Sequence, residues 1–396
     1  MINLAIKDII HSFGKFLLTG VGLGLLVGIT LIMAGVYRGM VDDGKVLLDN
    51  SRANLWVVQK ETLGPYAESS TIPDDLYRSI GVVRGVKDVA NVTYLTMQLQ
   101  KDGKDVRAMV AGISSGEITQ AGWPPYLIAG RHVAKGHYEA VADIATGFKI
   151  GDKIKIRRNH YEVVGLTHRH VSSSGDPIVY IPLKDAKEAQ FLKDNEAILM
   201  DRRRVEANPA FKNSAVSAGV NSLLVENRAV NAILVNVEDG FNAQEIANEI
   251  RKWKSLTVYD KSEMEEILIG KLIATSAKQI SMFLVILAVV SATIVAFIIY
   301  TLTMEKAREI AVLKLLGTRN RTIAWMILQQ SLILGLIGFM IGKISAYFMA
   351  DFFPKYVLLT NLDTFLLFLG VMTISIFSSL ISINLALKID PAEAIG

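Results

Sequence analysis

The chain has 396 residues, 51% of them hydrophobic, and a formal net charge of +4. That apolar content points to membrane spans, while the mild charge argues neither for nor against nucleic acid, and no nucleic acid partner is expected. With no cysteine present, disulfides, thiolate metal sites, iron–sulfur ligation and a cysteine nucleophile are excluded.

In chain order, Phe16–Tyr37 is the first of four runs with the length of about 20 residues that crosses roughly 30 Å of hydrocarbon. It exceeds the apolar core of a signal peptide, and no small residues near Ala34 are spaced for cleavage, so a retained span is expected. Its "GVGLGLLVG" lacks the spacing of a dinucleotide loop. Gly20, Gly24 and Gly28 instead form a stripe along which another helix can approach closely.

From about Met40 to Ile273 the composition becomes that of a soluble α+β domain. "ANLWVVQKE" and "VNAILVNVED" read as strands, rich in β-branched and aromatic residues. Pro73 and Asp74 start a helix in "IPDDLYRSIGVVRGVKDV", which breaks at Gly85. "KIGDKIKIRRNHYEVVGLT" reads as a hairpin turning at Arg158–Asn159, and "DPIVYIPLKDAKEA" as a strand passing into a helix. "NAQEIANEIRKW" places Ile246, Ala247 and Ile250 on one helical face. Strand–helix–strand material at both ends of a β-rich insert predicts two lobes. Ser262–Lys278 is expected to be helical and to run on into the second span.

The remaining spans are Ile280–Leu302, Ile323–Met349 and Thr364–Leu387. Lys306, Arg308, Lys314, Arg319 and Arg321 lie between the second and third, whereas Lys355 lies beside Asp351 and Asp363 between the third and fourth. The basic loop is therefore expected in the cytoplasm with both termini, and the long domain outside. Gly335, Gly338 and Gly342 form a second small-residue stripe. Lys343, towards the outer end of its span, is expected to snorkel to the interface.

No stretch makes a convincing active site. "THRHVSSSGD", with His168, His170, Ser174 and Asp176, reads as a surface loop; a metal would want a third ligand and a serine hydrolase a nucleophile elbow. Asp74–Asp75 and Glu265–Glu266 read as helix-start and solvated-face residues. "GFMIGKIS" has too short a gap for a phosphate loop. The chain is expected not to be an enzyme and to hold neither metal nor cofactor itself.

The most informative stretch is Met304–Gly317. Ala311 with Leu315 and Val312 with Leu316 make neighbouring i,i+4 rows, and Glu305–Arg308 and Lys306–Glu309 can pair. Gly317 is a left-handed stop, after which Thr318 or Asn320 can cap the next helix. A helix this short with apolar residues most of the way around wants a partner protein or the bilayer interface.

"EKAREIAVLKLLGTRNRTI" resembles the cytoplasmic signature E-x-x-x-E-I-x-x-L-K-x-L-G of MacB/FtsX-type ABC transporter permeases, matched at Glu305, Glu309, Ile310, Leu313, Lys314, Leu316 and Gly317. "LAIKDIIHSFGKFLLTGVGLGL" is similar to that family's amphipathic entry helix and first span. "VRAMVAGISSG", "YLIAGRHVAKG", "FKIGDKIKIRRNHYEVVGLT" and "DPIVYIPLKDAKE" resemble pieces of its outer domain, and "IDPAEAIG" its usual end. "SRANLWVVQKETLGPYAESSTIP" resembles the branch of DevC- and HrtB-like glycolipid and haem exporter permeases.

Residues and resemblance together imply an α-helical membrane protein of the bacterial inner membrane. It has four transmembrane helices, one plus three, with a large α+β extracytoplasmic domain between the first and second. Residues 1–15 would form a cytoplasmic amphipathic helix, 16–38 the first span and 39–275 the periplasmic domain. Residues 276–303 would be the second span, 304–320 the coupling helix and loop, 321–350 and 364–387 the last spans, and 388–396 the tail. The resemblance implies a dimer, here a homodimer, each protomer bound to a separate ATPase subunit that holds ATP and Mg²⁺. Docking residues would be Glu305, Lys306, Arg308, Glu309, Ile310, Leu313, Lys314, Leu316 and Gly317. ATP-driven motion would pass along the second span to the outer domain, with a periplasmic adaptor protein and an outer-membrane channel completing the export path. The same architecture serves a signalling scaffold that controls a cell-wall hydrolase and a lipoprotein-release permease; the size of the outer domain favours export.

Overall fold

The computed structural model describes residues 13–101, 103–114, 121–190, 203 and 228–388. Most of the expected N-terminal amphipathic helix, and the tail beyond Lys388, lie outside them. The chain divides into two compact units: an outer unit, Met40–Ala274, and a membrane unit made of the residues before and after it.

Helix α1, Phe13–Asn50, ends in the outer unit and leads to β1, Leu55–Gln59. Then come β2 (Ile72–Pro73), α2 (Leu76–Gly81), β3 (Val86–Lys101), β4 (Lys104–Ile113), β5 (Ala129–Gly130), β6 (Glu139–Asp143) and β7 (Lys153–Ile156). The rest are β8 (Asn159–Thr167), β9 (Ile178–Pro182), α3 (Leu183–Gln190), β10 (Ala229–Val230), β11 (Ala232–Val237), α4 (Ala243–Arg251) and β12 (Leu256–Asp260). Ten strands form one sheet in the order β12-β1-β11-β3-β4-β9-β6-β8-β5, with β7 paired to β8. One sheet thus runs through both expected lobes, and separate apolar clusters cover its ends. Leu55, Val57, Ile233 and Val258 pack with Ile80, Ile246, Ala247 and Ile250 at one. Leu99, Val110, Ile154 and Val179 pack with Ala186 and Ala189 at the other.

Several local expectations shift. In the hairpin Ile156 faces Asn159, so the turn is Arg157–Arg158, one residue early, with Arg157 at φ 54°. Helix α2 stops at Gly81 rather than Gly85. Asp74 pairs with Lys187 and Glu265 with Lys45, so one carboxylate of each pair faces a lysine.

The stretch His168–Asp176 is a loop that is only partly at the surface: His168 and Ser174 are exposed. His170, Ser172 and Ser173 are buried. The His170 N–H donates to Asp143 Oδ2 at 2.8 Å, and its Nδ1 meets the Tyr180 hydroxyl at 2.8 Å. Tyr126 and Tyr180 stand edge-on to the imidazole. Burial pushes the His170 pKa down to about 4 and raises that of Asp143. Asp143 and Tyr180 supply hydrogen bonds to His170 from a distance, and the Ser172 hydroxyl accepts locally from the Ser174 and Asp176 N–H groups.

After β12, α5 (Lys261–Glu266) opens with a capping box: the Asp260 side chain accepts from the Glu263 N–H and the Glu263 side chain from the Asp260 N–H. Ile267–Ile273 continues as π-helix, so the helical path expected towards the second span carries a seven-residue stretch of wider winding. It leads to α6 (Ala274–Glu305), followed by α7 (Ala307–Leu315), α8 (Asn320–Ala350) and α9 (Asn361–Leu387). Four helices, Phe16–Asn50, Lys261–Glu305, Asn320–Ala350 and Asn361–Leu387, are long and apolar enough to cross a membrane.

Inside the membrane unit, glycines of α1 face glycines of α8. A Cβ on Gly24 would lie 2.6 Å from Ile341 Cγ2 and 3.0 Å from the Gly338 carbonyl, and one on Gly342 would lie 2.7 Å from the Gly24 carbonyl. Gly20 faces Ile337, Gly28 faces Ser345 and Gly342, and Gly338 faces Leu23. Gly335 faces a different partner, Ser375 of α9. Hydroxyls bridge the helices too: Ser331 Oγ donates to the Ser375 carbonyl at 2.6 Å, and Ser378 Oγ to the Ala292 carbonyl at 3.3 Å. Arg38 grips Asp363, at the start of α9, through two 3.0 Å bonds. Lys343 is exposed on α8.

Candidate functional site

The short charged helix between α6 and α8 is built from its ends inward. Lys306 separates it from α6 with a single non-helical residue at φ −101°, ψ 10°. Its own end is a Schellman motif: the Thr318 N–H donates to the Leu313 carbonyl and the Gly317 N–H to the Lys314 carbonyl, each at 3.0 Å. That pattern needs a left-handed residue, and Gly317 supplies it at φ 80°. The residue that starts α8 is Arg319, extended and without a side-chain cap bond; neither Thr318 nor Asn320 takes that role.

The signature residues divide between two faces. Ile310 and Ala311 are buried, Ile310 in the cluster with Ile299, Ile323, Ile327 and Ala386 that forms the core of the membrane unit. Lys314 is half-buried and donates from Nζ to the carbonyl of Leu387, the last residue of α9, at 2.9 Å. A cation on the unsatisfied carbonyls of a helix C-terminus is favoured by hydrogen bonding and by the helix dipole. Leu313 and Lys306 are also half-buried, and burial lowers the Lys306 pKa while nearby Glu309 works against that shift.

Glu305, Arg308, Glu309, Leu316 and Gly317 are exposed. With them stand Val312 at 44%, Leu315 at 66% and Leu316 at 76% exposure. Val312 and Leu315 were absent from the expected docking set; their i,i+3 and i,i+4 spacing to Arg308, Glu309 and Leu316 was the available signal. The helix therefore presents three apolar side chains preceded by charges of both signs, while its other side is fixed to the bundle. Such a patch suits a partner that brings its own apolar groove. Among the described residues no group of three or more His, Cys, Asp or Glu side chains could hold a metal ion.

Two family models together match most of the chain: a MacB-like periplasmic core domain over residues 16–253 and an FtsX-like permease C-terminal domain over residues 281–391. An uncharacterized ABC transporter permease of Mycobacterium tuberculosis is 22% identical, the match covering 100% of this chain and 99% of the relative. A Staphylococcus haemolyticus protein named as a hemin transport system permease, HrtB, is 21% identical over 100% of this chain and 99% of its own. The solved periplasmic region of MacB from Actinobacillus actinomycetemcomitans is 11% identical and aligns with 57% of this chain and 99% of its own at a TM-score of 0.35.

Proposed function

The chain belongs to the MacB/FtsX family of ABC transporter permeases, and on that premise we propose that it is the membrane subunit of an exporter whose ATPase docks on the outward face of α7. The observation that carries this reading is the division of α7 itself. Ile310 and Lys314 hold the helix to the bundle, and Val312, Leu315 and Leu316 stand exposed, as do Arg308 and Glu309 one turn earlier. A helix held on one side and apolar on the other passes on a push rather than absorbing it.

The basic loop carrying α7 faces the cytoplasm with both termini, by the excess of Lys and Arg over the flanks of the other side. ATP and Mg²⁺ are held by the partner. Closure of two ATPases in a homodimer moves the paired α7 helices, and α6 carries that motion to the outer unit through the helical run that begins at Lys261. Cargo is collected outside, with an adaptor protein and an outer-membrane channel where the envelope has one. The relatives named for hemin transport make hemin the first cargo to test.

The test is a pull-down of the full chain in mild detergent with mass spectrometry of what stays bound. A Walker-containing ATPase in equal stoichiometry is expected, and Leu315→Glu should lose it while leaving membrane insertion intact. Leu313→Glu is the less clean probe, since Leu313 is half-buried and a charge there disturbs packing as well. If Leu315→Glu retains a stoichiometric ATPase, the docking face is wrong.

A further inference from the structure

We propose that Arg169 is a positioning residue that clips the stem of the first membrane helix to the sheet of the outer unit, so that displacement of the stem reaches the connection between β8 and β9. The inference rests on the motion-carrying reading above. The stem is Met40–Asn50, the part of α1 that belongs to the outer unit.

The clip has two jaws. The Arg169 guanidinium pairs with Asp42 and lies 3.8 Å from Asp43 Oδ1. Eight positions further along the stem from Asp42, the Asn50 side chain donates to the Arg169 carbonyl at 3.3 Å. Positions seven and eight apart share one face of a helix, so a single residue holds the same face of the stem at two levels. Arg169 does this from the left-handed region, at φ 59°, where an arginine is uncommon and strained. Its neighbours fix that conformation: Asp143 Oδ2 accepts from both Thr167 Oγ1 and the His170 N–H, and His170 is buried against Tyr180.

The stem has little other freedom. Its Leu47 and Leu48 pack in one cluster with Trp56, Val92, Tyr180 and, from the helical run after β12, Met264 and Leu268. Lys45–Glu265 at 3.2 Å and Lys261–Asp49 at 2.5 Å join the two runs; both pairs are exposed and add little hold. The Arg169 contacts join the stem by charge to a loop between two strands of the sheet. The segment that composition marks as a plain loop is thus the place where the stem and the β8–β9 connection meet.

The test uses the full chain in lipid nanodiscs and hydrogen–deuterium exchange of the amides of residues 40–50. Arg169→Gly relieves the left-handed backbone and removes the guanidinium together. A purely local role predicts slower or unchanged exchange there; the clip predicts exchange faster by about tenfold in residues 40–50, with β1 and β11 unchanged. Asp42→Ala with Asp43→Ala should reproduce the effect and add nothing on top of Arg169→Gly, and Arg169→Lys should restore part of it. Unchanged exchange of residues 40–50 in Arg169→Gly overturns the clip. This readout needs no ATPase, so a failed docking test leaves it standing. In a complex that does bind its ATPase, Arg169→Gly should hydrolyse ATP but export poorly; normal export overturns the delivery role.

Discussion

In the outer unit Trp56, Ile233 and Val258 are fully buried, and along β7 the lysines Lys153 and Lys155 face out between the buried Ile154 and Ile156. In the membrane unit Ser375, Ser379 and Ser382 are fully buried, while Phe297 is 64% and Tyr347 72% exposed. Water drives apolar side chains out of contact with itself, so the first pattern is what burial gives in water. Lipid gives no such reward, and helices in it associate through small residues and interhelical hydrogen bonds. The same hydropathy therefore means "inside" at Ile233 and "outside" at Phe297.

The largest expected difference between the units comes from deleting one large side chain in each. Trp56→Ala should cost about 3–5 kcal/mol, since the ring is fully buried and its Nε1 donates to the Tyr66 hydroxyl at 3.2 Å. Phe297→Ala, on an exposed face of a helix apolar enough to cross a membrane, should be close to neutral. Denaturant unfolding of the chain in detergent separates the two, and equal costs would break the comparison.

A pH titration gives the next effect, confined to the outer unit. His170 is held at about 4, below the ordinary 6.5. Between those values the unfolded chain takes up a proton that the folded chain refuses, so stability falls as pH drops from about 6.5 to about 4. The loss is up to about 3 kcal/mol. Asp143, raised by burial, has the opposite slope, since its folded form binds a proton more readily than the unfolded chain does. His170→Asn should flatten the descent, and an unchanged slope in that variant would assign it to other groups.

The smallest effect concerns glycines. Gly24→Ala puts a Cβ within 3.0 Å of a backbone carbonyl that cannot move aside and should cost about 1–3 kcal/mol. Gly44→Ala, whose Cβ would sit 3.5 Å from Ile273 Cδ1, should be neutral or stabilising by about 0.4–1 kcal/mol. Thermal inactivation of both variants in lipid checks this, and equal behaviour would remove close helix approach as the reason for Gly24.

The parts legible in the sequence were those set by local rules. Four apolar runs give four helices, the period of Ile246, Ala247 and Ile250 gives the buried face of α4, and Gly317 gives the left-handed end of α7. Burial and pairing were hardest to read where the partners lie far along the chain. His170 looked like a surface residue because its partner Asp143 is 27 positions away. The bond of Lys314 to the Leu387 carbonyl, 73 positions away, leaves no mark in the local pattern. The hairpin slipped by one residue because alternation fixes which faces are buried, whereas the turn fixes the register. The π-helix left no trace, since its residues carry the same apolar content as an α-helix.

That π-helix, Ile267–Ile273, has a consequence for how a helical rod can turn. Each of its hydrogen bonds closes over one residue more than in the α-helix on either side. One residue of α-helix is about 100° of rotation and about 1.5 Å of advance. Gly270 sits at the middle of the section, where an added Cβ would have only Glu266 Cγ as near neighbour, at 3.7 Å. The section is thus where the helical path is wound differently, by one residue in each hydrogen-bonded ring, at the threshold of the second span.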